Sequence, residues 1–294
     1  SGSGINHNEL AERIIRQSDI TDGGDFAIVF GLMGAEYETA EFFKKSFKEN
    51  GVLSKVVMFE NLSNDSSIER ILTPKLALTC AEYLAFDLDM QVLVVLTDMT
   101  AYAEALREIS TLKGEIPSRK GYPGYLYSDF ASIYERAGQI KGKDGSITQI
   151  PILTMPNDDI SHPIPDTTGY ITEGQIVLSR DLYQQGITPP INILDSLSRL
   201  MKDGIGKGVT RDNHSKISDQ IFASYSKVQE VRALAKVLGE ADLTPKDKKY
   251  LEFGEQFEKR FINQGKYEFR DINQTLDLAL ELLKILPPEE LDKL

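Results

Sequence analysis

The sequence predicts an α/β domain with a mostly parallel sheet, followed by an all-helical C-terminal domain. Three observations carry this. Short β-branched runs alternate with longer amphipathic ones over the first two-thirds of the chain, a carboxylate follows directly on one of the buried runs, and from Thr210 the hydrophobic period changes to 3.6 and stays there. The division falls near residue 200, which gives a core over residues 1–199 and a helical domain over 200–294.

The N-terminal segment Ser1-Gly-Ser-Gly4-Ile-Asn-His-Asn8-Glu-Leu reads as a glycine-containing entry into an amphipathic helix with Leu10, Ala11, Ile14 and Ile15 on its apolar side. Asn6 and Glu9 have capping-box spacing, so their side chains are expected to satisfy the first amides of that helix. Ala27–Gly31, Val56–Phe59 and Val92–Leu96 read as strands buried on both faces, and Gln149–Leu153 and Ile176–Leu178 as two further strands. Between them, Thr39–Asn50 spaces Phe42, Phe43 and Phe47 on a helix. Pro74 is expected to open a helix carrying Leu76, Leu78, Ala81 and Leu84, because a first-turn proline loses no helical hydrogen bond. Tyr102–Ile109 reads as another helix. Asp98 follows the third buried run at the edge where ligands gather in open α/β sheets, and it reads either as a metal- or phosphate-site carboxylate or as a helix cap.

Beyond Thr188-Pro-Pro190 and the glycines of 204–208, one stripe runs Ile217, Ile221, Tyr225, Val228, Val231, Ala235, Leu238 and stops at Gly239. Thr244-Pro-Lys-Asp247 is a helix start with cap, N1 proline and N3 acid, leading into Tyr250, Phe257 and Phe261. Asp271 caps a third helix with Ile272, Leu276, Ala279, Leu280 and Leu283 inward. Glu252, Glu255, Glu258, Glu289, Glu290 and Asp292 read as exposed acids.

The chain has 294 residues, 41% of them hydrophobic, and a formal charge of −12, which disfavours nonspecific binding to nucleic acid or anionic lipid and favours protein partners. No apolar stretch is long enough to span a bilayer and no signal-peptide pattern opens the sequence, so a cytosolic chain is expected. The lone cysteine, Cys80, lies in an apolar helical run and reads as a buried structural thiol. His7, His162 and His214 show no metal-ligand spacing, and no metal site is expected. Basic and aromatic residues alternate at Arg119, Lys120, Tyr122, Tyr125 and Tyr127; single-stranded nucleic acid and interface packing both fit that pattern, and the acidic whole favours packing.

At the N-terminal loop, phosphate chemistry needs a lysine for the β- and γ-phosphates and a hydroxyl for magnesium immediately before the helix. His7 and Asn8 stand there instead, and Glu9 adds a charge that repels a triphosphate.

Several long strings carry a resemblance over essentially the whole chain. They are Ser1–Leu10, Thr97-Asp-Met-Thr-Ala-Tyr-Ala-Glu-Ala-Leu-Arg-Glu-Ile-Ser110, Pro117-Ser-Arg-Lys-Gly-Tyr-Pro-Gly-Tyr-Leu-Tyr127, Gln149-Ile-Pro-Ile-Leu-Thr-Met-Pro156 and Ser196-Leu-Ser-Arg-Leu200. Together they resemble the B subunits of archaeal-type and bacterial V-type rotary ATPases. The resemblance implies a RecA-like P-loop ATPase core whose own phosphate loop, at Gly4, Asn6, His7 and Asn8, is degenerate and holds no nucleotide tightly. It implies a non-catalytic, regulatory subunit that alternates with catalytic A subunits in a hexameric ring around central stalk subunits, with ATP or ADP and Mg at the A/B interface. Catalytic relatives carry glycine-glutamate-arginine where this chain has Gly31-Leu32-Met33, so the water-orienting glutamate is replaced by Leu32. Arg199 matches the arginine that reaches the partner's γ-phosphate; by spacing alone it would be a surface salt-bridge residue. Ser196 and Ser198 beside it read as cofactor-binding residues that orient this interface loop, or else as hydroxyls that cap a turn.

The family also implies a location at the cytoplasmic face of the membrane, reached only through the assembled complex. Its members carry an N-terminal β-barrel and a first core strand ahead of the loop at which this sequence begins, so the Ala27–Gly31 strand is expected to have either an unpaired neighbour position or another partner. The alternative reading is a self-sufficient hexameric RecA-like nucleotide hydrolase, and a third is a scaffold with no nucleotide-linked role.

Overall fold

The computed structural model describes residues 1–18 and 24–292. Two compact units are present, Ser1–Thr172 and Glu173–Leu294.

The first unit runs α1 (His7–Gln17), β1 (Phe26–Ala35), α2 (Tyr37–Glu49), β2 (Val56–Leu62), α3 (Ser67–Glu82), β3 (Gln91–Thr97), α4 (Met99–Leu112), α5 (Leu126–Tyr134), β4 (Gly138–Gln139), β5 (Ser146–Pro151) and α6 (Pro163–Ile171). Among the described residues its sheet has five strands in the order β2-β1-β3-β5-β4, all parallel except the short β4. The β1 strand pairs on one side with β2, Ile28 opposite Val56, and on the other with β3, Ile28 opposite Leu93. Of the two expectations for this strand, pairing with another partner is the one the register describes. Because successive residues face opposite ways, β1 divides its apolar side chains between two layers. Ile28, Phe30 and Leu32 pack with Ala11, Ile15, Phe43 and Phe47 of α1 and α2, whereas Val29 and Met33 face Ala77, Leu78 and Ala81 of α3. Gly31 is needed in that second layer, since a Cβ there would stand 2.7 Å from Leu96 Cδ2.

Pro74 does not open its helix. Ser66 caps α3 eight residues earlier by accepting from the Ile68 amide at 3.2 Å, and Pro74 lies inside, buried. The local rule for first-turn proline is overridden by burial of Pro74, Ala77, Leu78 and Ala81 along one face. Cys80 is half-buried against the same core, and burial pushes its thiol pKa up, as suits a structural thiol.

The second unit contains β6 (Gly174–Leu178), α7 (Arg180–Gln184), β7 (Ile191–Ser198), α8 (His214–Leu238), α9 (Pro245–Phe257) and α10 (Ile272–Leu283). The strand read at Ile176–Leu178 does not join the parallel sheet; β6 pairs antiparallel with β7, a strand that the proline-rich entry hides. The helices begin and end where their signals lie. Gly239 has φ +91° at the end of α8. Thr244 and Asp247 form a reciprocal capping box on α9, and Asp271 and Gln274 another on α10. Ile217, Tyr225, Val228, Phe253, Phe257, Leu276 and Leu283 share one core. Ile272, expected inward, is 41% exposed because it occupies the first helical position of α10, one turn before the buried face starts at Leu276. Gly254 lets α8 and α9 approach, as a Cβ would meet Val228 Cγ1 at 2.4 Å.

Glu258, read as an exposed acid, is 3% exposed. Arg232 of α8 grips its two oxygens at 2.6 and 2.9 Å, and the Tyr225 hydroxyl donates to it at 2.6 Å. Burial, then the bond to Glu258, pushes the Tyr225 phenol well above its ordinary range. Glu252 and Glu255 are exposed and pair with Lys249 of α9 and with Lys259 just beyond its end.

Candidate functional site

Three places carry the residues singled out in the sequence. The first is the N-terminal loop. Gly2 bridges Met155 beyond the end of β5, and Met155 N–H donates to Ser1 O at 2.6 Å, so the loop lies at the C-terminal edge of the parallel sheet. Gly4 takes φ +78°, a left-handed conformation that turns the chain into α1. The side chains of Asn6 and Glu9 bond each other instead of capping the helix: Asn6 Nδ2 donates to Glu9 Oε1 at 2.9 Å, and Asn6 makes no side-chain cap bond to α1. Asn6 has ψ 82°, short of the extended geometry that aims a cap side chain at the N3 amide.

His7 is half-buried, with Nδ1 2.7 Å from Ser1 Oγ. Burial pushes its imidazole pKa down, outweighing the pull of Asp98 in the other direction, so the ring is neutral at pH 7. A neutral ring supplies no fixed positive charge to a phosphate. Asn8, also half-buried, has an amide and not a hydroxyl for magnesium.

The second place is the end of β3. Asp98 caps α4, with Oδ1 accepting from the Thr100 amide at 2.7 Å and the Thr154 amide at 3.2 Å, and Oδ2 accepting from Thr154 Oγ1 at 2.5 Å. Of the two readings of Asp98, the helix cap is the one its bonds describe. Leu32, on the neighbouring strand, is 1% exposed in the layer of Phe30, Phe43 and Phe47. Replacing it by a glutamate would put a carboxylate into that apolar layer. Among the described residues no group of three or more His, Cys, Asp and Glu side chains is arranged to hold a metal ion.

The third place is the β6–β7 ribbon of the second unit. Pairing runs Leu178 to Ile191 and Val177 to Asn192, then breaks, and resumes with Gln175 opposite Leu197 and Gly174 opposite Ser198. Arg199 follows β7 directly; its N–H donates to Glu173 O at 2.8 Å and its side chain is exposed. Ser198 is exposed one residue before it, while Ser196 is half-buried and turned inward onto the ribbon's own backbone.

In the basic and aromatic stretch Arg119, Lys120 and Tyr122 are engaged within the unit, while Tyr125 and Tyr127 are exposed. Arg119 bonds Asp166 and Ser161 O, Lys120 pairs with Asp159 at 3.1 Å, and Tyr122 is buried, edge-on to His162 and donating to Glu104. The Ser161 hydroxyl and Lys120 hold the Asp159 carboxyl down to about 2. An open groove of about 650 Å³ in the first unit is lined by Arg70, Glu104, Arg107 and Glu108. Its charges are engaged too: Arg70 bonds Asn61 and the Leu62 and Ser63 carbonyls, Arg107 pairs with Glu104, and Glu108 accepts from Ser67.

A parallel sheet with a glycine loop at its C-terminal edge is the layout of nucleotide-binding α/β domains. The chain belongs to the ATP synthase alpha/beta family: the family's nucleotide-binding domain matches residues 1–198, and the C-terminal domain of V and A type ATP synthase matches 203–294. It is 62% identical over 295 residues to a V-type ATP synthase beta chain of Halothermothrix orenii and 59% identical over 292 residues to the B subunit of an A-type ATP synthase of Aeropyrum pernix. These comparisons cover 100% and 99% of this chain, and the chain spans 64% and 63% of those relatives' lengths. Among solved structures, the ATP synthase subunit NeqB of Nanoarcheaum equitans superposes with a TM-score of 0.89 at 46% identity, over 98% of this chain and 70% of that one. No described helix is long and apolar enough to cross a membrane.

Proposed function

We propose that this chain is the non-catalytic, regulatory B-type partner in a rotary ion-translocating ATPase or ATP synthase. Within it, the chain alternates with a catalytic A subunit in a hexameric ring around central stalk subunits and contacts the membrane, from its cytoplasmic face, only through the assembled complex. Residues 1–199 are assigned to the core with the degenerate loop and 200–294 to the helical domain, a division supported by family matches that end at 198 and resume at 203, whereas by packing β6, α7 and β7 belong with the helices in the compact unit Glu173–Leu294. The observation that carries the reading is the pairing of a disabled phosphate site with an exposed arginine. Neutral His7, Asn8 and buried Leu32 replace the lysine, the hydroxyl and the base, while Arg199 is exposed at the end of β7. ATP or ADP with Mg is then held at the interface with the partner, whose loop supplies the lysine and hydroxyl. Arg199 contributes a planar, permanently charged fork to the γ-phosphate.

The isolated chain is expected to show no Mg-dependent ATP hydrolysis at millimolar ATP, and His7→Lys alone is not expected to create it, since the hydroxyl and base stay absent. Turnover of about 1 per second or faster that follows the chain through purification would instead establish the self-sufficient hydrolase.

A further inference from the structure

We infer that Ser196 and Asn192 are positioning residues for Arg199: together they fold a bulge in β7 that resets the strand's register immediately before the arginine. The inference rests on the proposed role of Arg199. Between the pairs Val177–Asn192 and Gln175–Leu197, β6 has the single residue Ile176, whereas β7 has Ile193, Leu194, Asp195 and Ser196. Three extra residues on one strand would ordinarily splay the ribbon and leave backbone groups unpaired.

Two side chains close the gap. Asn192 Oδ1 accepts from the Leu194 amide at 3.1 Å and the Asp195 amide at 3.4 Å, and its Nδ2 donates to Asp195 Oδ2 at 2.6 Å. Ser196 Oγ donates to Asn192 O at 2.6 Å and accepts from the Val177 amide at 2.9 Å. The serine hydroxyl thus stands in the ladder where a backbone carbonyl of β7 would have been. Pairing then resumes at Leu197, Ser198 lies opposite Gly174, and the Arg199 amide reaches Glu173 O. Gly174 is required at that close approach, because a Cβ would lie 2.8 Å from Leu197 O. Side chains alternate along a strand, so a slip of one residue here would send Arg199 to the opposite face.

The serine hydroxyl therefore acts through the direction of the arginine and not by touching nucleotide. Ser196→Ala should leave the Val177 amide without its acceptor, while Ser196→Thr keeps the hydroxyl. In rings reassembled from the full-length chain and its catalytic partner, with assembly checked by mass, Ser196→Ala is expected to lower kcat on the order of tenfold to a hundredfold with KM for ATP nearly unchanged. Ser196→Thr should recover most of it. In an Arg199→Ala background the same change should cost less than twofold, because the group it aims is gone.

An equal loss in both backgrounds, or kcat within twofold of the parent when Arg199→Ala itself is severe, overturns the positioning role. A harmless Arg199→Ala removes the arginine reading, and the positioning role with it. Should Ser196→Ala rings fail to assemble, hydrogen exchange on the unassembled variant decides: amides of both Val177 and Arg199 should exchange faster than in the parent. An Arg199 amide as protected as before refutes the inference.

Discussion

Arg199→Ala in the reassembled ring is expected to reduce ATP turnover by ~10³-fold or more while ATP binding changes little, the low end of what arginine fingers supplied in trans contribute. The reason lies in where charge goes. As the γ-phosphoryl group loosens and flattens, negative charge redistributes over its oxygens, and a guanidinium held there gains more in the transition state than in the bound substrate. Loss of an ordinary exposed salt bridge costs only ~0.2–1 kcal/mol, less than a tenfold change, so the two roles of an exposed arginine give separable results. Lysine at residue 199 should rescue poorly, because it keeps the charge and loses the fork that engages two oxygens. Steady-state hydrolysis by rings of verified mass is the measurement. Turnover within twofold of the unaltered ring would leave this chain a structural spacer.

The parallel strands were legible because each is buried on both faces and so reads as a continuous apolar run; Val92 to Leu96 needs no partner to be recognised. The helix starts at Thr244 and Asp271 were legible for a related reason, since a capping box is written within four residues. What stayed hidden depends on residues far apart in the chain. The β7 strand has no clean alternation, because the bulge shifts its face midway, and its ladder is completed by the side chain of Ser196, 19 residues from Val177. Glu258 has the sequence context of a solvated helix face, and only Arg232, 26 residues earlier, and Tyr225, 33 earlier, explain its burial. The same division runs through the site. The deficits proposed at His7 and Asn8 rest on single residue types visible in the sequence, whereas the one proposed at Leu32 rests on the resemblance to catalytic relatives. The neutral state of His7 and the cap formed by Asp98 required the fold.

Breaking the Arg232–Glu258 pair is expected to have the largest effect on the stability of the second unit. Glu258 has its carboxylate side chain 4% exposed, whereas the Arg232 side chain is 32% exposed, and this asymmetry sets the order of the outcomes. Arg232→Met leaves a buried carboxylate with, among the described residues, the Tyr225 hydroxyl as its remaining side-chain partner, a defect of the kind that costs ~3–5 kcal/mol. Glu258→Ala strands the arginine instead, but its guanidinium can turn toward water, so the loss should be smaller, about 2 kcal/mol, made up mainly of the small cavity and the unpaired phenol of Tyr225. Replacing both, as Arg232→Met with Glu258→Leu, should be milder than Arg232→Met alone, since an apolar pair of similar volume leaves no charge to desolvate. Native-state hydrogen exchange of the slowest amides in α8 and α9 reads these differences within the second unit, without requiring that the whole chain unfold in one step. A loss in the double variant equal to the sum of the Arg232→Met and Glu258→Leu single losses would mean that the two side chains do not act as a pair. Unchanged protection in Arg232→Met would mean that Glu258 finds its compensation elsewhere in the helical unit.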